Sequence, residues 1–481
     1  MSEACGTRVY GDVCVLGLGK TGEAVARYLL GLVPEGRVGS VTVYGGAKSQ
    51  AGPATEELER LGARVVLGTE AVEGDYDLLV ASPGISEFSD FYASAASHCT
   101  RAIGEPELSW LESPERWVGI TGTNGKTTTT TLTRDLLRAA GMRAEAVGNI
   151  GTMAIGEVAH REPGEWLVAE LSSFQLAGAH ELHPHAAVLL NVTPDHLYWH
   201  KTMENYAAAK ERVFANLDAG DLAVIGTGDE WCRAIAQRLD ARGLRVCRLY
   251  GPGETPAPAQ EEPCCAWEDA GTLIVRLDGH DLRLVDASEL AIKGEHNVQN
   301  ALAASACALA CGADMADVRR GLLAFAPLEH RIEPCGELAG VRFVNDSKAT
   351  NTDAVQKALT AFEPGSVVIL LGGHDKGTDL ADMAADVVRD ARVAVCFGEA
   401  GPRIAEALRD ASEGNAGEGG IEVVSAAHLE EALDAGLAQA RPGDTVLLSP
   451  ACSSFDEFSG FEERGEVFKR LVAARIARGR R

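Results

Sequence analysis

Long apolar runs are missing from this sequence of 481 residues. No stretch of about 18 consecutive uncharged apolar residues is present, which excludes a membrane-spanning helix of ordinary length. The N-terminal residues also lack a positively charged segment followed by an apolar core, the pattern of an export signal. These absences predict a cytoplasmic protein that has no membrane partner.

Basic residues are scarce relative to acidic ones. The chain has 44 lysines and arginines against 70 aspartates and glutamates, a formal net charge of −26. Nucleic-acid binding depends on basic surface that neutralises phosphates, so this balance predicts no nucleic-acid partner. A solvated acidic surface explains the excess of acid without any functional role.

Cysteines at metal-binding spacing are also missing. The twelve cysteines are scattered without a Cys-x-x-Cys pair, so we expect them to be small, buried apolar residues. Hydrophobic residues make up 46% of a chain that is long enough for about three domains. The composition therefore predicts several packed cores rather than a zinc or disulfide framework.

The most informative stretch is residues 119–129, in which a short apolar strand runs into a glycine-rich turn and then a helix. Gly122 and Gly125 let backbone N–H groups turn toward an anion, and the helix N-terminus adds positive potential. Lys126 can reach the β- and γ-phosphates of a nucleotide, and the Thr127 hydroxyl can bind Mg²⁺. The pattern predicts a phosphate cradle for ATP or GTP.

One position departs from the strict phosphate-loop pattern, because Ile120 stands where the first glycine should be. An ordinary loop rich in glycine and threonine is the competing interpretation. We favour the cradle because a strand precedes the turn and a helix follows it.

The first segment contains a second glycine-rich turn, Gly17–Gly22, of the G-x-G-x-x-G type. A dinucleotide site would require an acidic residue at the end of the next strand, Ser40–Tyr44, but that strand ends in Tyr44-Gly45-Gly46. The turn Ser82–Ile85 follows a later strand. We predict a diphosphate ligand other than NAD here, with a purely structural domain as the alternative.

Polar side chains in the middle segment lie where strands end. Glu170 ends an apolar strand and is a candidate Mg²⁺ ligand, while His196 could bind metal, contact substrate or simply lie on the surface. The residue pattern alone predicts that Lys210 is a surface lysine. Asn297 and Asn300 lie on one face of a helix near its start and suit either a heterocycle or helix capping.

Strands alternate with helices through the last segment as well, and polar turns follow the strands. The sequence therefore predicts an α/β protein with three domains, at residues 1–101, 102–327 and 328–481. A hairpin is expected near residues 272–285, where apolar and polar positions alternate.

Several motifs together resemble the Mur ligases of peptidoglycan synthesis, over nearly the whole chain. They are Gly122–Thr128, Glu170–Gln175, Gly294–Asn297, His330-Arg331 and Asn345–Asn351. Within the family, the chain resembles the member that adds D-glutamate. The motifs that carry this resemblance are Gly17–Gly22, Ala81–Ile85, Asn345–Asn351, Leu448–Cys452 and Glu462–Gly465. The resemblance implies an N-terminal Rossmann-like domain, a central P-loop ATPase-like domain with a parallel sheet, and a C-terminal Rossmann-like domain.

The activity implied by the resemblance is an ATP-dependent, ADP-forming amide-bond ligation. D-Glutamate would be joined to UDP-N-acetylmuramoyl-L-alanine through an acyl phosphate, in cytoplasmic precursor synthesis for the cell wall, and so in cell shape and division. ATP and two Mg²⁺ ions would be the cofactors, the partners would be small-molecule substrates only, and the chain would be a monomer.

The resemblance also implies a set of site residues. Lys126, His196 and Lys210 would be catalytic, and Thr127, Glu170, His196 and a carbamylated Lys210 would hold the metals. The ATP contacts would be Gly122, Thr123, Asn124, Gly125, Lys126, Thr127, Thr128, Asn297, Asn300, Arg331 and Asp346. Ser82 and Asn149 would contact the UDP-sugar, and Thr350, Lys376, Ser454 and Phe461, with Lys348 nearby, would form the D-glutamate pocket.

Two departures from the family pattern are visible. The family member that adds D-glutamate has an acidic and a hydroxyl residue where Tyr44-Gly45-Gly46 stand, which leaves open how uracil is held. Tyr198-Trp199 replaces an Asp-Arg pair after His196.

Three other functions are compatible with parts of the pattern. A folate polyglutamate-type ligase shares the cradle but lacks a Rossmann domain ahead of it, so Gly17–Gly22 argues against it. A dinucleotide-dependent oxidoreductase is disfavoured by the missing acid after the second strand. A nucleotide-binding scaffold without catalysis is the third.

Overall fold

The computed structural model of the chain describes residues 8–251, 262–375, 377–414 and 421–479. These residues form three β-sheets with helices between the strands, which confirms the predicted α/β class. The chain divides into two compact units. One holds the first two sheets, and the other, Leu290–Val298 with the chain from Phe325 onward, holds the third sheet. The predicted domain boundaries stay a prediction.

The N-terminal sheet is parallel throughout. Its strands are β1 (Gly11–Leu16), β2 (Val38–Tyr44), β3 (Arg64–Val66), β4 (Tyr76–Ala81) and β5 (Cys99–Gly104), and its helices are α1 (Lys20–Gly31), α2 (Pro53–Arg60), α3 (Asp90–Ser97) and α4 (Glu105–Glu112). The strand order is β3-β2-β1-β4-β5, so the order reverses between β1 and β4. Ligands of doubly wound sheets bind at such a reversal. The turns that follow β1 and β4 are the two that the sequence singled out.

The central sheet is larger and mixed. Its strands are β6 (Trp117–Thr121), β7 (Ala144–Gly148), β8 (Trp166–Glu170), β9 (Ala186–Leu189), β10 (Leu222–Gly226), β11 (Arg245–Leu249), β12 (Cys265–Asp269), β13 (Thr272–Leu277) and β14 (His280–Asp286). Its helices are α5 (Lys126–Ala139), α6 (Ala154–Val158), α7 (Ser173–Ala177), α8 (Leu197–His200), α9 (Met203–Glu211), α10 (Glu230–Ala241), α11 (Glu295–Ala310) and α12 (Met315–Ala324).

The order of the central strands is β14-β13-β12-β11-β10-β9-β6-β8-β7. All neighbouring strands from β12 to β7 in this order pair in parallel. Strand β13 pairs antiparallel with β12 and with β14, and its pairing with β14 confirms the predicted hairpin. Every residue of β6 and β8 is buried, as expected for strands covered on both faces. Because β6 pairs in parallel with both β8 and β9, the carboxyl ends of these three strands lie side by side at the same end of the sheet.

The third sheet is parallel except at one edge. Its strands are β15 (Glu333–Leu338), β16 (Val341–Asn345), β17 (Val367–Gly372), β18 (Ala391–Phe397), β19 (Glu422–Ser425) and β20 (Thr445–Ala451), in the order β15-β16-β20-β17-β18-β19. Its helices are α13 (Thr352–Leu359), α14 (Ala381–Asp390), α15 (Gly401–Gly414), α16 (Leu429–Gln439) and α17 (Phe461–Gly479). The antiparallel strand β15 was not predicted, because its sequence, Glu-Pro-Cys-Gly-Glu-Leu, has too few apolar residues to show the alternation expected of a strand.

The eleven cysteines in the described residues are all free, and most are buried, as expected from their scatter. In the same part of the chain, no helix combines the length and apolar character that a membrane span requires.

Helix α4, which leads from the N-terminal sheet to the central one, buries three carboxylates. Glu112 at its end accepts hydrogen bonds from Tyr10, from Tyr28 Oη at 2.7 Å and from Arg37 Nη2 at 2.5 Å. Arg37 and Glu112 are both more than nine-tenths buried. Removing one partner of a buried ion pair leaves an uncompensated charge, which is why such pairs are costly to break.

We therefore expect Glu112→Ala to lower the free energy of local opening around β1 by about 3–5 kcal/mol. Native-state hydrogen exchange of the β1 amides measures this opening. The control is Glu59→Ala on the exposed face of α2, which should change it by less than about 0.5 kcal/mol. Equal protection in the two variants would contradict the assigned role of Glu112.

Candidate active site

The turn between β6 and α5 has the geometry of a phosphate loop. Gly122 has a φ of +153° and Gly125 a φ of +85°, conformations that side-chain-bearing residues rarely adopt. Asn191, which follows β9, fixes the turn from one side, because its backbone carbonyl and Oδ1 accept the N–H groups of Thr123 and Asn124, each at 2.9 Å. Lys126 Nζ folds back onto the loop and donates to two of its carbonyls.

Lys210 on α9 lies against the same loop. Its side chain is 1% exposed, its Nζ donates to the Gly122 carbonyl at 2.7 Å, and Nζ lies 4.6 Å from the centroid of the Tyr206 ring. Burial, and secondly the charge of Lys126, holds the pKa of Lys210 well below its usual value. The residue pattern predicted a surface lysine and is wrong here, because Tyr206 and the small residues before Lys210 seat its stem in the interior.

Glu170 at the end of β8 presents a carboxylate oxygen that has no partner. Its Oε1 accepts from Asn149 Nδ2 at 2.9 Å, whereas Oε2 is buried and makes no hydrogen bond within the described chain. A buried carboxylate oxygen without a donor is costly, and a divalent cation would satisfy it. The residues present therefore fit a metal at the position that the sequence predicted.

His196 stands at the start of α8 in a left-handed conformation, with a φ of +55°. Its ring lies 4.8 Å from that of Phe174, and its Nε2 is 3.5 Å from Asp195 Oδ2. His200, one turn further, is fully buried and shares a hydrogen bond of 2.8 Å with Ser173 Oγ. Burial lowers the pKa of His200 to about 4, so this imidazole is neutral near pH 7.

The predicted nucleotide contacts in the first unit include Asn300, which lies beside the phosphate loop. Its Oδ1 accepts from Thr129 Oγ1 at 3.2 Å, and a methyl group on Gly125 would overlap the Asn300 side chain. Thr123 Oγ1 lies 3.1 Å from Tyr206 Oη, which ties the loop to the helix that carries Lys210.

Within the second unit, Asn297 and Arg331 line one cleft of about 680 Å³, together with Lys293 and Phe362. Asn297 Nδ2 also donates to the Lys293 carbonyl at 2.7 Å. This bond differs from helix capping, in which a side-chain oxygen accepts a backbone N–H. Asp346 is buried, accepts from Ser449 Oγ at 2.8 Å, and has its pKa raised to about 7 by burial.

The N-terminal sheet brings its two ligand-binding turns together. Ser82 Oγ is buried without a partner in the described residues and faces the turn at Gly17 and Gly22. Tyr44, by contrast, is 1% exposed, and its Oη hydrogen-bonds the Glu73 backbone, so the tyrosine belongs to the core rather than to a ligand site. In a dinucleotide-binding enzyme an acidic residue at the end of the second strand binds the ribose. In this chain that strand ends in Tyr44, whose side chain packs in the core.

The loops at the carboxyl ends of β16 and β20 form a further cluster. Lys348 Nζ lies 3.6 Å from the centroid of the Phe461 ring, and the buried Ser454 hydroxyl lacks a hydrogen-bond partner among the described residues. The Thr350 N–H donates to the Lys348 carbonyl at 2.9 Å. Lys376, predicted for the same pocket, lies outside the described residues.

Arg464 holds this cluster together and was not assigned a role from the sequence. It is 1% exposed, and its guanidinium donates to Ser347 Oγ at 3.0 Å and to the carbonyls of Ser347 and Cys452 at 2.9 and 3.0 Å. The only signal in the sequence was its place in the Glu462–Gly465 motif. Tyr206 was also missed, although its spacing of four residues from Lys210 puts both on one helical face.

Comparison with known proteins finds two matching family domains and relatives of nearly the same length. The Mur ligase middle domain matches residues 120–308, and the Mur ligase glutamate ligase domain matches residues 330–452. A protein of Pelotomaculum thermopropionicum named UDP-N-acetylmuramoylalanine--D-glutamate ligase is 38% identical over 96% of this chain and 97% of its own length. A protein of the same name from Solibacter usitatus is 39% identical over 95% of this chain and 96% of its own.

The chain belongs to the Mur ligase family. This membership confirms the family and the reaction class that the motifs predicted, an ATP-dependent ligase. Among solved structures, the pseudomurein peptide ligase type C of Methanothermus fervidus covers 96% of this chain and 99% of its own with a TM-score of 0.57. At 17% identity it supports the Mur ligase fold alone.

Family membership does not establish the role of each side chain in this Mur ligase. A substitution at Gly125 tests whether the glycine-rich loop binds the nucleotide. Gly125→Ala should weaken binding of a non-hydrolysable ATP analogue by more than about tenfold, equivalent to 1.4 kcal/mol. The added methyl would overlap Asn300 and lie 2.9 Å from Leu190 Cδ1, so the loop must move. Isothermal titration calorimetry measures the affinity.

The matched control is Gly141→Ala. Gly141 has a φ of +76°, close to that of Gly125, but a methyl there meets nothing within 4 Å. It should carry the same backbone strain of about 1–2 kcal/mol and keep its affinity. Equal affinities in both variants would show that Gly125 is not part of the nucleotide cradle.

Proposed function

We propose that this Mur ligase joins D-glutamate to UDP-N-acetylmuramoyl-L-alanine, with ATP converted to ADP and phosphate, in the synthesis of peptidoglycan precursors. One observation carries the proposal. The phosphate loop, the buried Lys210 and the unsatisfied Glu170 oxygen all lie at the carboxyl ends of neighbouring strands of the central sheet. The names of the near-full-length relatives give the substrates.

The loop of Gly122, Thr123, Asn124 and Gly125, followed by Thr127 and Thr128, would hold the ATP phosphates through its N–H groups and hydroxyls. Lys126 would then leave the loop carbonyls, to which it now donates, for the β- and γ-phosphates. Asn297 and Asn300 would contact adenine, Asp346 the ribose and Arg331 a phosphate. Each of these assignments is carried over from the family.

Two Mg²⁺ ions are part of the proposal. Thr127 and Glu170 would hold one, and His196 and a carbamylated Lys210 the other. The free Oε2 of Glu170 supports the first site. When bound, the ions would neutralise negative charge that develops on the phosphoryl oxygens.

Carbamylation requires an unprotonated amine, because the nitrogen lone pair attacks the carbon of CO₂. The N–C bond forms, the amine loses a proton, and the product carries one negative charge. Burial of Lys210 against the Gly122 carbonyl and the Tyr206 ring supports this chemistry, since it disfavours the ammonium form. The resulting carbamate oxygens are suitable Mg²⁺ ligands.

In the proposed reaction the L-alanyl carboxylate attacks the γ-phosphorus of ATP, and ADP leaves. The amine of D-glutamate then attacks the acyl phosphate at its carbonyl, and phosphate departs as the amide forms. Lys126 and Arg331 would stabilise the negative charge on the phosphoryl group as it is transferred. Such electrostatic stabilisation is usually the largest contribution to the rate enhancement of phosphoryl transfer.

Ser82 and Asn149 would contact the UDP-sugar, and Lys348, Thr350, Lys376, Ser454 and Phe461 would form the amino-acid pocket. The partnerless hydroxyls of Ser82 and Ser454 support these sites, because a ligand would satisfy them. Action in the cytoplasm, a monomeric state and a part in cell shape and division stay predictions from the sequence.

The first test is amino-acid specificity. Phosphate release from ATP is measured with UDP-N-acetylmuramoyl-L-alanine and, in turn, D-glutamate, L-glutamate, D-alanine or L-lysine. Only D-glutamate should support turnover, and omission of the UDP substrate should abolish it. An ATP-binding protein that releases no phosphate with both substrates would be a scaffold, and turnover with L-lysine would assign another ligase.

The second test concerns Lys210. Lys210→Ala should lose activity by more than about 100-fold, as expected when a metal ligand is removed. Added short carboxylates should restore part of it by replacing the carbamate. The charge-conserving control Lys210→Arg should be equally inactive, because a guanidinium does not form the carbamate.

A readout independent of activity is the carbamate ¹³C signal after equilibration with labelled bicarbonate. The wild-type protein should give the signal, and both Lys210 variants should lack it. Full activity in Lys210→Arg would show that a simple cation suffices at this position.

A further inference from the structure

The loop that follows β17 carries Lys376 in the sequence, and residues on both sides of that lysine make hydrogen bonds to other segments. Upstream, the His374 N–H donates to the Ser453 carbonyl at 2.8 Å, and His374 Nδ1 lies 2.6 Å from Glu399 Oε2. Ser453 precedes the partnerless Ser454. The loop that carries Lys376 is therefore hydrogen-bonded to the segment that carries Ser454, another residue assigned to the amino-acid pocket.

Arg403 on α15 contacts the loop on both sides of Lys376. Its Nε and Nη2 donate to the two oxygens of Asp375 at 2.8 and 2.7 Å, and its Nη1 donates to the Thr378 carbonyl at 2.8 Å. Asp375 Oδ1 also accepts the Gly377 N–H at 2.8 Å. A planar guanidinium can make this set of bonds at once, whereas a lysine ammonium cannot reproduce its fork geometry.

The position of Arg403 within its helix is unfavourable by itself. It lies in the first turn of α15, which has no acidic residue, so its positive charge faces the positive end of the helix dipole. The Asp375 carboxylate offsets this repulsion, and the pKa of Asp375 is lowered chiefly by its hydrogen bond with Arg403. An arginine at this position is thus explained by the loop rather than by the helix.

We propose that Arg403 is a positioning residue for the amino-acid substrate, because it binds Asp375 and Thr378, the described residues on either side of Lys376 in the chain. The inference rests on the proposed function, in which Lys376 contacts D-glutamate. Arg403 itself acts through the loop and does not touch the substrate.

Steady-state kinetics of Arg403→Ala, Arg403→Lys and Asp375→Asn test this role. Each variant should raise KM for D-glutamate by about 10- to 100-fold, the range that a misplaced binding group produces. KM for ATP and for the UDP substrate should stay within about twofold, since interactions are lost only at the amino acid. In the double variant Arg403→Ala/Asp375→Asn, the increase should be smaller than the product of the two single increases.

Arg409→Ala is the control, because Arg409 lies exposed on the same helix, and all its constants should match the wild type. Asp375→Asn keeps the size of the Asp375 side chain but weakens its bonds with Arg403, and it serves if the arginine variants fail to fold. Absence of turnover with D-glutamate in the wild type would refute the proposed function. An active wild type whose variants keep the wild-type KM for D-glutamate, or raise all three constants alike, would overturn the role of Arg403.

Discussion

The contact between the Lys210 amine and the Gly122 carbonyl is the constraint on which the rest of the site depends. A lysine amine that is 1% exposed pays a desolvation cost as an ammonium, so the interior favours its neutral form. The same carbonyl accepts from Lys126, and Asn191 and Tyr206 fix the remainder of the loop. Phosphate cradle and buried amine are therefore parts of one hydrogen-bonded unit.

Each of the three sheets leaves at least one buried polar atom unsatisfied near the carboxyl end of a strand. Ser82 Oγ follows β4, Glu170 Oε2 ends β8 and Ser454 Oγ follows β20, and all three are buried without a hydrogen-bond partner in the described residues. A buried unpaired polar group costs about 1–3 kcal/mol. A ligand would satisfy such atoms, and all three belong to the sites proposed for substrate or metal.

Arginines that bind backbone carbonyls hold the loops of the third sheet. Arg464 joins the loop after β16 to the loop after β20, and Arg403 holds the loop after β17. Since β20 lies between β16 and β17, these loops are neighbours at one edge. Loops rich in glycine and serine pack few apolar groups, so directional hydrogen bonds from rigid guanidinium groups define their shape instead.

The sequence by itself determined the α/β class, the phosphate loop at Gly122–Thr128, the strand-end position of Glu170 and the Mur ligase family, because these depend on local periodicity and on motifs contiguous in the chain. Only the tertiary structure decided that Lys210 is buried, that Tyr44 belongs to the core, and that Arg464 and Arg403 each contact distant loops. A side chain's burial and its partners depend on which strands become neighbours. Residues 122 and 210, or 375 and 403, meet through sheet topology, which no local pattern encodes.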